Sequence, residues 1–232
     1  GYYDAEVEQV LKQAESAANN PNNPPLKPEL ILRALAGNRY KYSQVVIVGL
    51  ERLKDADKWR ELVKAKQGGP IDAAALQHSL DELLRELASN GYPFAEIEPP
   101  VIALDRASLS GELTINLNPS SYRNFGAFRT VGKALFSPKH LRVIARFKPG
   151  QPYNIAAVED LHRALIATSL VSKVELIALP DANDRADIQV RLEAAPPRTI
   201  AAELGYGSGE GFKIAGSWQH RNFFPPEGAL SL

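Results

Sequence analysis

Seven residues of this chain occur nearly twice. Gly1-Tyr2-Tyr3-Asp4-Ala5-Glu6-Val7 returns as Gly91-Tyr92-Pro93-Phe94-Ala95-Glu96-Ile97, matching Gly-Tyr-x-x-Ala-Glu-(Val/Ile) at an offset of 90 residues. An internal repeat of this period makes the chain a string of supersecondary units, not one large domain, and so constrains every later assignment. In the second copy the heptad follows a helical run ending at Asn90-Gly91. It leads into Glu96-Ile97 and Val101-Ile102-Ala103-Leu104, so the glycine sits where a helix stops and a strand starts. The repeated feature is a helix-to-strand corner.

Two further landmarks extend the repeat. Gly68-Gly69-Pro70-Ile71-Asp72 recurs as Gly150-Gln151-Pro152-Tyr153-Asn154. Each pentad ends in an Asp or Asn whose side-chain oxygen can accept the free N–H groups of a following helix. Upstream, Val45-Val46-Ile47-Val48-Gly49 and Phe128-Arg129-Thr130-Val131-Gly132 both read as a short strand closed by glycine, 83 residues apart. Each repeat therefore reads strand, helix, helix, strand, strand. The third corner departs from the pattern, with Ser169-Leu170 where Gly91-Tyr92 stood. The offset falls from 82 at the helix start to 78 at its end, which makes the last long helix about one turn shorter.

Repeats of this size account for the 232 residues as several small units. The sequence opens on the corner glycine, with neither an initiator methionine nor a signal segment, and reads as a fragment or a processed chain whose first repeat is cut. Twenty-seven basic residues balance 27 acidic ones. No global field draws the protein to nucleic acid, which is not expected as a partner. The absence of cysteine excludes disulfides and thiolate metal sites. No apolar run approaches the ~18 residues of a membrane helix, a test that leaves strand barrels open.

Residues 5–11 and 30–35 are predicted to pair as strands around Ala17-Ala18-Asn19-Asn20-Pro21-Asn22-Asn23-Pro24-Pro25, a turn-forming segment expected to be weakly ordered. The second repeat is predicted to hold helices near 55–66 and over 73–89. In the latter, Leu76, Leu80, Leu83, Leu84 and Leu87 form one apolar stripe. Glu112 to Leu117 alternates as a strand with one buried face. In the third repeat Val158, Leu161 and Leu165 take the helical buried side, and Ile188, Val190 and Leu192 alternate in the closing strand. Pro196-Pro197 ends the repeat as a stiff joint.

The last stretch is different in kind. Ile200, Ala202, Leu204 and Tyr206 fall on one side of an extended chain, opposite Ala201, Glu203, Gly205 and Gly207. After Ser208-Gly209-Glu210-Gly211, Phe212, Ile214, Gly216 and Trp218 oppose Lys213, Ala215, Ser217 and Gln219. Strands of about nine residues with this alternation, and with Trp218, Phe223 and Phe224 toward one end, fit an outer-membrane barrel wall. Two strands cannot close a barrel, so most of it lies outside this segment.

No constellation carries catalytic chemistry. The glycines of 205–211 lead into a period-two strand and not a helix, which marks a hairpin turn and not a phosphate loop. His78, His140, His162 and His220 lack metal-ligand spacing. The pairs Asp81-Glu82 and Glu159-Asp160 diverge around a helix and cannot work as acid and base. No Ser or Thr has a nucleophile context. The chain reads as a non-enzyme, with no cofactor.

The order strand, helix, helix, strand, strand, with glycine after the first strand and a Gly-Tyr corner before the fourth element, resembles POTRA (polypeptide-transport-associated) domains. With Leu204-Gly205-Tyr206-Gly207 and Gln219-His220-Arg221-Asn222-Phe223-Phe224 following, the chain is similar to the POTRA-barrel outer-membrane protein assembly superfamily, and within it to the TamA subfamily. The resemblance implies an α+β fold. The C-terminal part of a first POTRA domain would occupy 1–41, a second domain 42–119, a third 122–196, and the first strands of a transmembrane β-barrel 199–232. It implies a place in the outer membrane of a Gram-negative bacterium, with the POTRA array in the periplasm. The implied partners are unfolded outer-membrane β-barrel or autotransporter clients, a TamB-like periplasm-spanning protein and outer-membrane lipid. BamA-like general assembly subunits and two-partner-secretion pores are the alternatives.

That fold leaves the strand after the corner at a sheet edge, where unpaired N–H and C=O groups can recruit an extended peptide. Pro99-Pro100 blunts this strand in the second repeat. In the third, Lys173-Val174-Glu175-Leu176-Ile177-Ala178-Leu179 runs without proline to Pro180 and is the expected edge for client or partner strands. Ile200, Leu204, Gly205, Tyr206 and Gly207 form a candidate lateral-gate strand, because its glycines weaken side-chain packing along a seam.

Overall fold

The structure, a computed structural model, describes residues 4, 6–12, 29–132, 135–207, 209 and 211–232. Segment 17–25 and most of the first corner heptad lie outside them. The chain starts with β1 (Glu6–Lys12) and β2 (Glu29–Leu35), which pair antiparallel. Then come β3 (Lys41–Val48), α1 (Ala56–Leu62), α2 (Ala73–Ser89), β4 (Glu96–Ile97), β5 (Val101–Asp105) and β6 (Ser110–Asn118). The third repeat holds β7 (Asn124–Val131), α3 (Pro138–Ile144), α4 (Ile155–Ala167), β8 (Val171–Pro180) and β9 (Arg185–Ala194). Last come β10 (Arg198–Gly207), β11 (Gly211–Phe224) and β12 (Gly228–Ser231).

By its contacts the chain forms two compact bodies, Gly1–Leu83 with Ile97–Asn118, and Leu84–Glu96 with Pro119–Leu232. In the first body β3 runs parallel to β6, and β5 pairs with β6 antiparallel. The alternation read in 112–117 is realised: Gly111, Leu113, Ile115 and Leu117 are buried and their neighbours are not. On α2 the stripe residues Leu76, Leu80 and Leu83 are buried. In the second body the strand order is β7-β9-β8, with β7 parallel and β8 antiparallel to the central β9. One apolar cluster joins Phe125, Phe128 and Ile188 of the sheet to Leu141 of α3 and to Val158, Leu161 and Leu165 of α4.

The sequence repeat is also a hydrogen-bond repeat. Tyr42 N donates to Gly69 O at 2.9 Å and Gly68 N to Tyr42 O at 2.7 Å. Eighty-odd residues on, Phe125 N donates to Gln151 O and Gly150 N to Phe125 O, both at 2.8 Å. Asp72 Oδ1 accepts Ala75 N at 3.0 Å, and Asn154 Oδ1 accepts Ala156 N at 2.8 Å, so both pentads end in helix caps. The last long helix has 13 residues against 17, a loss of about one turn.

Three expectations need correction. The helix predicted near 55–66 stops at Leu62, because Val63 turns extended (φ −80°, ψ 111°), buries its side chain, and leads into the segment that pairs with Tyr42. Leu84 lies on the expected α2 stripe, yet it is only half-buried. The terminal ribbon has three strands, not two. β12 was invisible because four residues after Pro225-Pro226 are too short to show a period.

Candidate functional site

Residues Lys173 to Leu179 lie in β8, the edge of the second body's sheet, whose one partner strand among the described residues is β9. The phase of that ladder fixes which backbone groups are free. Asp181 N donates to Arg185 O at 2.9 Å, in register with the pairs Leu179–Asp187, Ile177–Gln189 and Glu175–Arg191. Hydrogen-bonded and non-hydrogen-bonded pairs alternate along an antiparallel ladder. The N–H and C=O groups of Val174, Leu176 and Ala178 therefore point away from β9, toward the open side. At Pro180 the N–H is missing, so the open edge ends there.

Side chains at those three positions turn toward the helices: Val174 is buried, and Leu176 and Ala178 pack on the core. Beside them lies a groove of about 490 Å³ lined by Ile155, Val158, Glu159, His162 and Arg163 of α4 and by Val174, Glu175 and Leu176 of β8. Its floor is apolar and its rim charged. Arg85 pairs with Glu159 at 2.8 Å, and Arg163 pairs with Asp160. The opposite face of β8 and β9 is laced by Lys173–Glu193 at 3.4 Å and Glu175–Arg191 at 3.7 Å. Near the start of α4, Tyr153 is pushed up to about 12, first by burial and then by the Glu159 carboxylate. An added strand would pair with Val174, Leu176 and Ala178 and direct alternate side chains into the groove.

The second repeat has no such continuous edge. Its corresponding strand is divided by Pro99-Pro100 into the two-residue β4 and the five-residue β5.

Ile200, Leu204, Gly205, Tyr206 and Gly207 lie in β10, the edge strand of the sheet β10-β11-β12. The register Ile200↔Trp218, Leu204↔Ile214 and Tyr206↔Phe212 gathers the large apolar side chains on one face. Thr199↔Gln219, Ala201↔Ser217, Glu203↔Ala215 and Gly205↔Lys213 occupy the other. The apolar face is bare among the described residues: Leu204 is 79% exposed, Phe212 85% and Ile214 81%. A Cβ on Gly205 would meet Lys213 Cβ at 3.8 Å, an ordinary contact, so sterics do not demand glycine there. At the other end of the hairpin, Arg221 N and Nη1 donate to Pro197 O and Pro196 O at 2.8 and 3.0 Å. His140 of α3 meets Glu227 at 2.7 Å.

The corner that opened the sequence proves to be a packing joint. Gly91 (φ +94°) faces the Tyr122 ring, where a Cβ would stand 2.2 Å from Cε2. Arg123 N donates to Gly91 O at 2.7 Å, and its guanidinium lies 5.5 Å from the Phe94 ring centre. Sequence reasoning missed Tyr122 and Arg123 because their signal is in the third dimension. Among the described residues no cluster of three or more His, Asp or Glu could hold a metal ion. No described helix is long and apolar enough to cross a membrane.

Residues 40–120 match the POTRA family model, described as surface antigen variable number repeat. A comparison with curated proteins returns no match. Among solved structures, BamA from Haemophilus ducreyi lacking POTRA domains 1-3 is similar with TM-score 0.67 and 18% identity, over 84% of this chain and 36% of that one. BamA POTRA3-5 from Haemophilus influenzae is similar with TM-score 0.58 and 18% identity, over 83% of this chain and 74% of that one. CdiB from Escherichia coli gives a TM-score of 0.40 at 17% identity, over 91% of this chain and 35% of that one. The chain thus spans little more than a third of the length of the first of these structures. What it shares is the α+β fold: POTRA units in tandem followed by the first strands of a barrel.

Proposed function

We propose that this chain belongs to an outer-membrane protein assembly or translocation factor of the TamA kind, one that captures β-rich clients of the autotransporter type and delivers them to a barrel. In this reading 1–41 are the C-terminal part of a first POTRA domain, and 42–119 and 122–196 are a second and a third, all in the periplasm of a Gram-negative bacterium. Residues 199–232 start a transmembrane barrel whose lipid-facing side carries Ile200, Leu204, Tyr206, Phe212, Ile214 and Trp218. A TamB-like protein would hand over clients from the periplasm, and β10 would border the seam through which they leave. No chemical step is involved. Strand pairing and apolar burial supply the free energy. The alternative is a BamA-like general assembly subunit, with which the likeness in fold to the two BamA structures is equally consistent.

The observation that carries the proposal is the open edge of β8, with the backbone groups of Val174, Leu176 and Ala178 directed outward beside an apolar groove. Ala178→Pro removes one outward N–H and no internal bond. Ile177→Pro removes a bond to β9. Photocrosslinking of an unfolded outer-membrane client to the edge should fall several-fold in Ala178→Pro with the thermal midpoint unchanged, whereas Ile177→Pro should lower the midpoint as well. Full capture by a folded Ala178→Pro variant removes the reading.

A further inference from the structure

The chain is neutral overall, but its charge is not evenly spread. Residues 113–158 hold seven Lys and Arg and no Asp or Glu. Two of the seven are answered from outside the segment, Arg129 by Asp187 at 2.6 Å and Arg123 by Asp184 at 3.9 Å. Lys139, Arg142, Arg146 and Lys148 are exposed and pair with no carboxylate among the described residues. The fold does not require this. In the second repeat the equivalent helix α1 exposes Asp57 and Glu61 together with Lys58 and Arg60, so its surface is balanced.

On α3, Lys139, Arg142 and Val143 stand at i, i+3 and i+4 and share one face, away from the buried Leu141. Val143 is 76% exposed. An apolar side chain between two unpaired cations fits the boundary of water and hydrocarbon, where the methyl groups enter and the cations stay with anionic headgroups.

The terminal ribbon shows where that boundary lies. β7 runs parallel to β9, with Val131 beside Arg191, so the end of β7 that leads into α3 lies where β9 leads through Pro196-Pro197 into β10. His140 of α3 reaches the turn between β11 and β12, its Nε2 2.7 Å from Glu227 Oε1. The exposed aromatics at that end, Phe223 and Phe224, fit the girdle at which a barrel meets headgroups. α3 thus stands beside the base of the ribbon.

We propose that the face of α3 formed by Lys139, Arg142 and Val143, and continued by Arg146, is a docking surface for anionic phospholipid on the periplasmic side of the outer membrane. It rests on the barrel reading of β10–β12, which places the membrane, and adds a contact outside the barrel. The cations meet phosphate groups, Val143 sinks among them, and the third repeat is held against the bilayer. No strand edge takes part.

The 232-residue chain is sedimented with vesicles of phosphatidylcholine alone, and of phosphatidylcholine and phosphatidylglycerol in equal parts. It should prefer the anionic vesicles, and raised salt should weaken that preference. Lys139→Gln with Arg142→Gln should cut anionic binding by about fivefold per cation and leave neutral binding unchanged. The charge-keeping pair Lys139→Arg with Arg142→Lys should retain the preference. The chain has no cysteine, so Val143→Cys takes a polarity-sensitive dye at one position. Its emission should shift to the blue on anionic vesicles, and that of a dye on Ala182→Cys, in the turn before β9 and far from the ribbon, should not. An unchanged anionic preference in the double Gln variant, or a dye at Val143 that stays in water on bound protein, overturns the proposal. Tighter binding of a soluble poly-glutamate peptide than of the anionic vesicles also overturns it, and makes the face a protein site. Leu204→Arg tests the ribbon apart and should weaken binding to both vesicles alike. Neutral binding that survives it unchanged removes the barrel reading, while the Gln variant still decides on α3.

Discussion

Gly49 faces the carbonyl of Leu117 so closely that a Cβ on it would stand 1.8 Å from the Leu117 oxygen. It closes β3 in a left-handed conformation (φ +101°), and its counterpart Gly132 closes β7 with φ +82°, where a Cβ would meet no described residue within 4 Å. The two glycines look alike in sequence and answer to different constraints. Gly132→Ala should cost about 1–2 kcal/mol for backbone conformation alone. Gly49→Ala adds a clash with main chain and should cost about 3 kcal/mol or more. Urea unfolding of the two variants checks this, and equal losses would show that Leu117 does not crowd Gly49.

Asp187, buried on the central strand β9, accepts Ala127 N at 2.7 Å and Arg129 Nε at 2.6 Å, and so holds the bulge where β7 slips register between Phe125 and Phe128. Asp187→Ala leaves the Ala127 N–H without an acceptor and should cost about 1–3 kcal/mol. Arg129 is largely exposed, so Arg129→Ala should cost less than about 1 kcal/mol. Asp187→Asn retains an acceptor and should fall between them. Thermal unfolding gives the order, and a larger loss for Arg129→Ala would refute it.

The repeat made most of this fold legible, because a corner, a helix start and a glycine-closed strand recurring in order fix element type without any one motif being specific. The third corner shows the limit. Ser169 replaces Gly91 and yet keeps a left-handed backbone (φ 58°). Sequence alone reads Ser169 as a departure, whereas the backbone treats it as the same corner. The edge residues Lys173 to Leu179 were readable from pattern, but which of them present free backbone groups was not. That depends on ladder phase, set by the Asp181–Arg185 bond at the strand's end.

Asp72 and Asn154 cap equivalent helices, and only one of them titrates. Backbone N–H donation from Ala75, opposed by a smaller desolvation of this exposed group, lowers the Asp72 carboxyl below its ordinary 3.8. A carboxyl lowered in the folded state contributes stability above its unfolded pKa and loses it as the pH falls through the folded value. Hydrogen exchange at Ala75 should therefore quicken as the pH drops below about 4, relative to exchange at Ala156 beside the neutral Asn154 cap. Asp72→Asn should erase the difference. Parallel behaviour of the two amides across that range would show that the cap charge is irrelevant.

The ribbon's two faces make the sharpest demand on the barrel reading. β10 has ten residues, the length of a tilted transmembrane strand, and its register with β11 puts Leu204 and Ile214 side by side on the bare apolar face. If that face meets lipid, Leu204→Arg near mid-strand should cost about 2–4 kcal/mol of membrane stability. Ala201→Arg, on the face shared with Ser217 and Glu203, should cost little, because a lumen admits charge. A soluble ribbon covered by another protein would reject arginine at Leu204 too, but only while that partner is bound. Urea extraction of outer membranes from cells making the intact protein separates the cases. Loss of Leu204→Arg from the extracted membrane, with Ala201→Arg retained, identifies lipid as the solvent of that face. Equal retention of both variants excludes it.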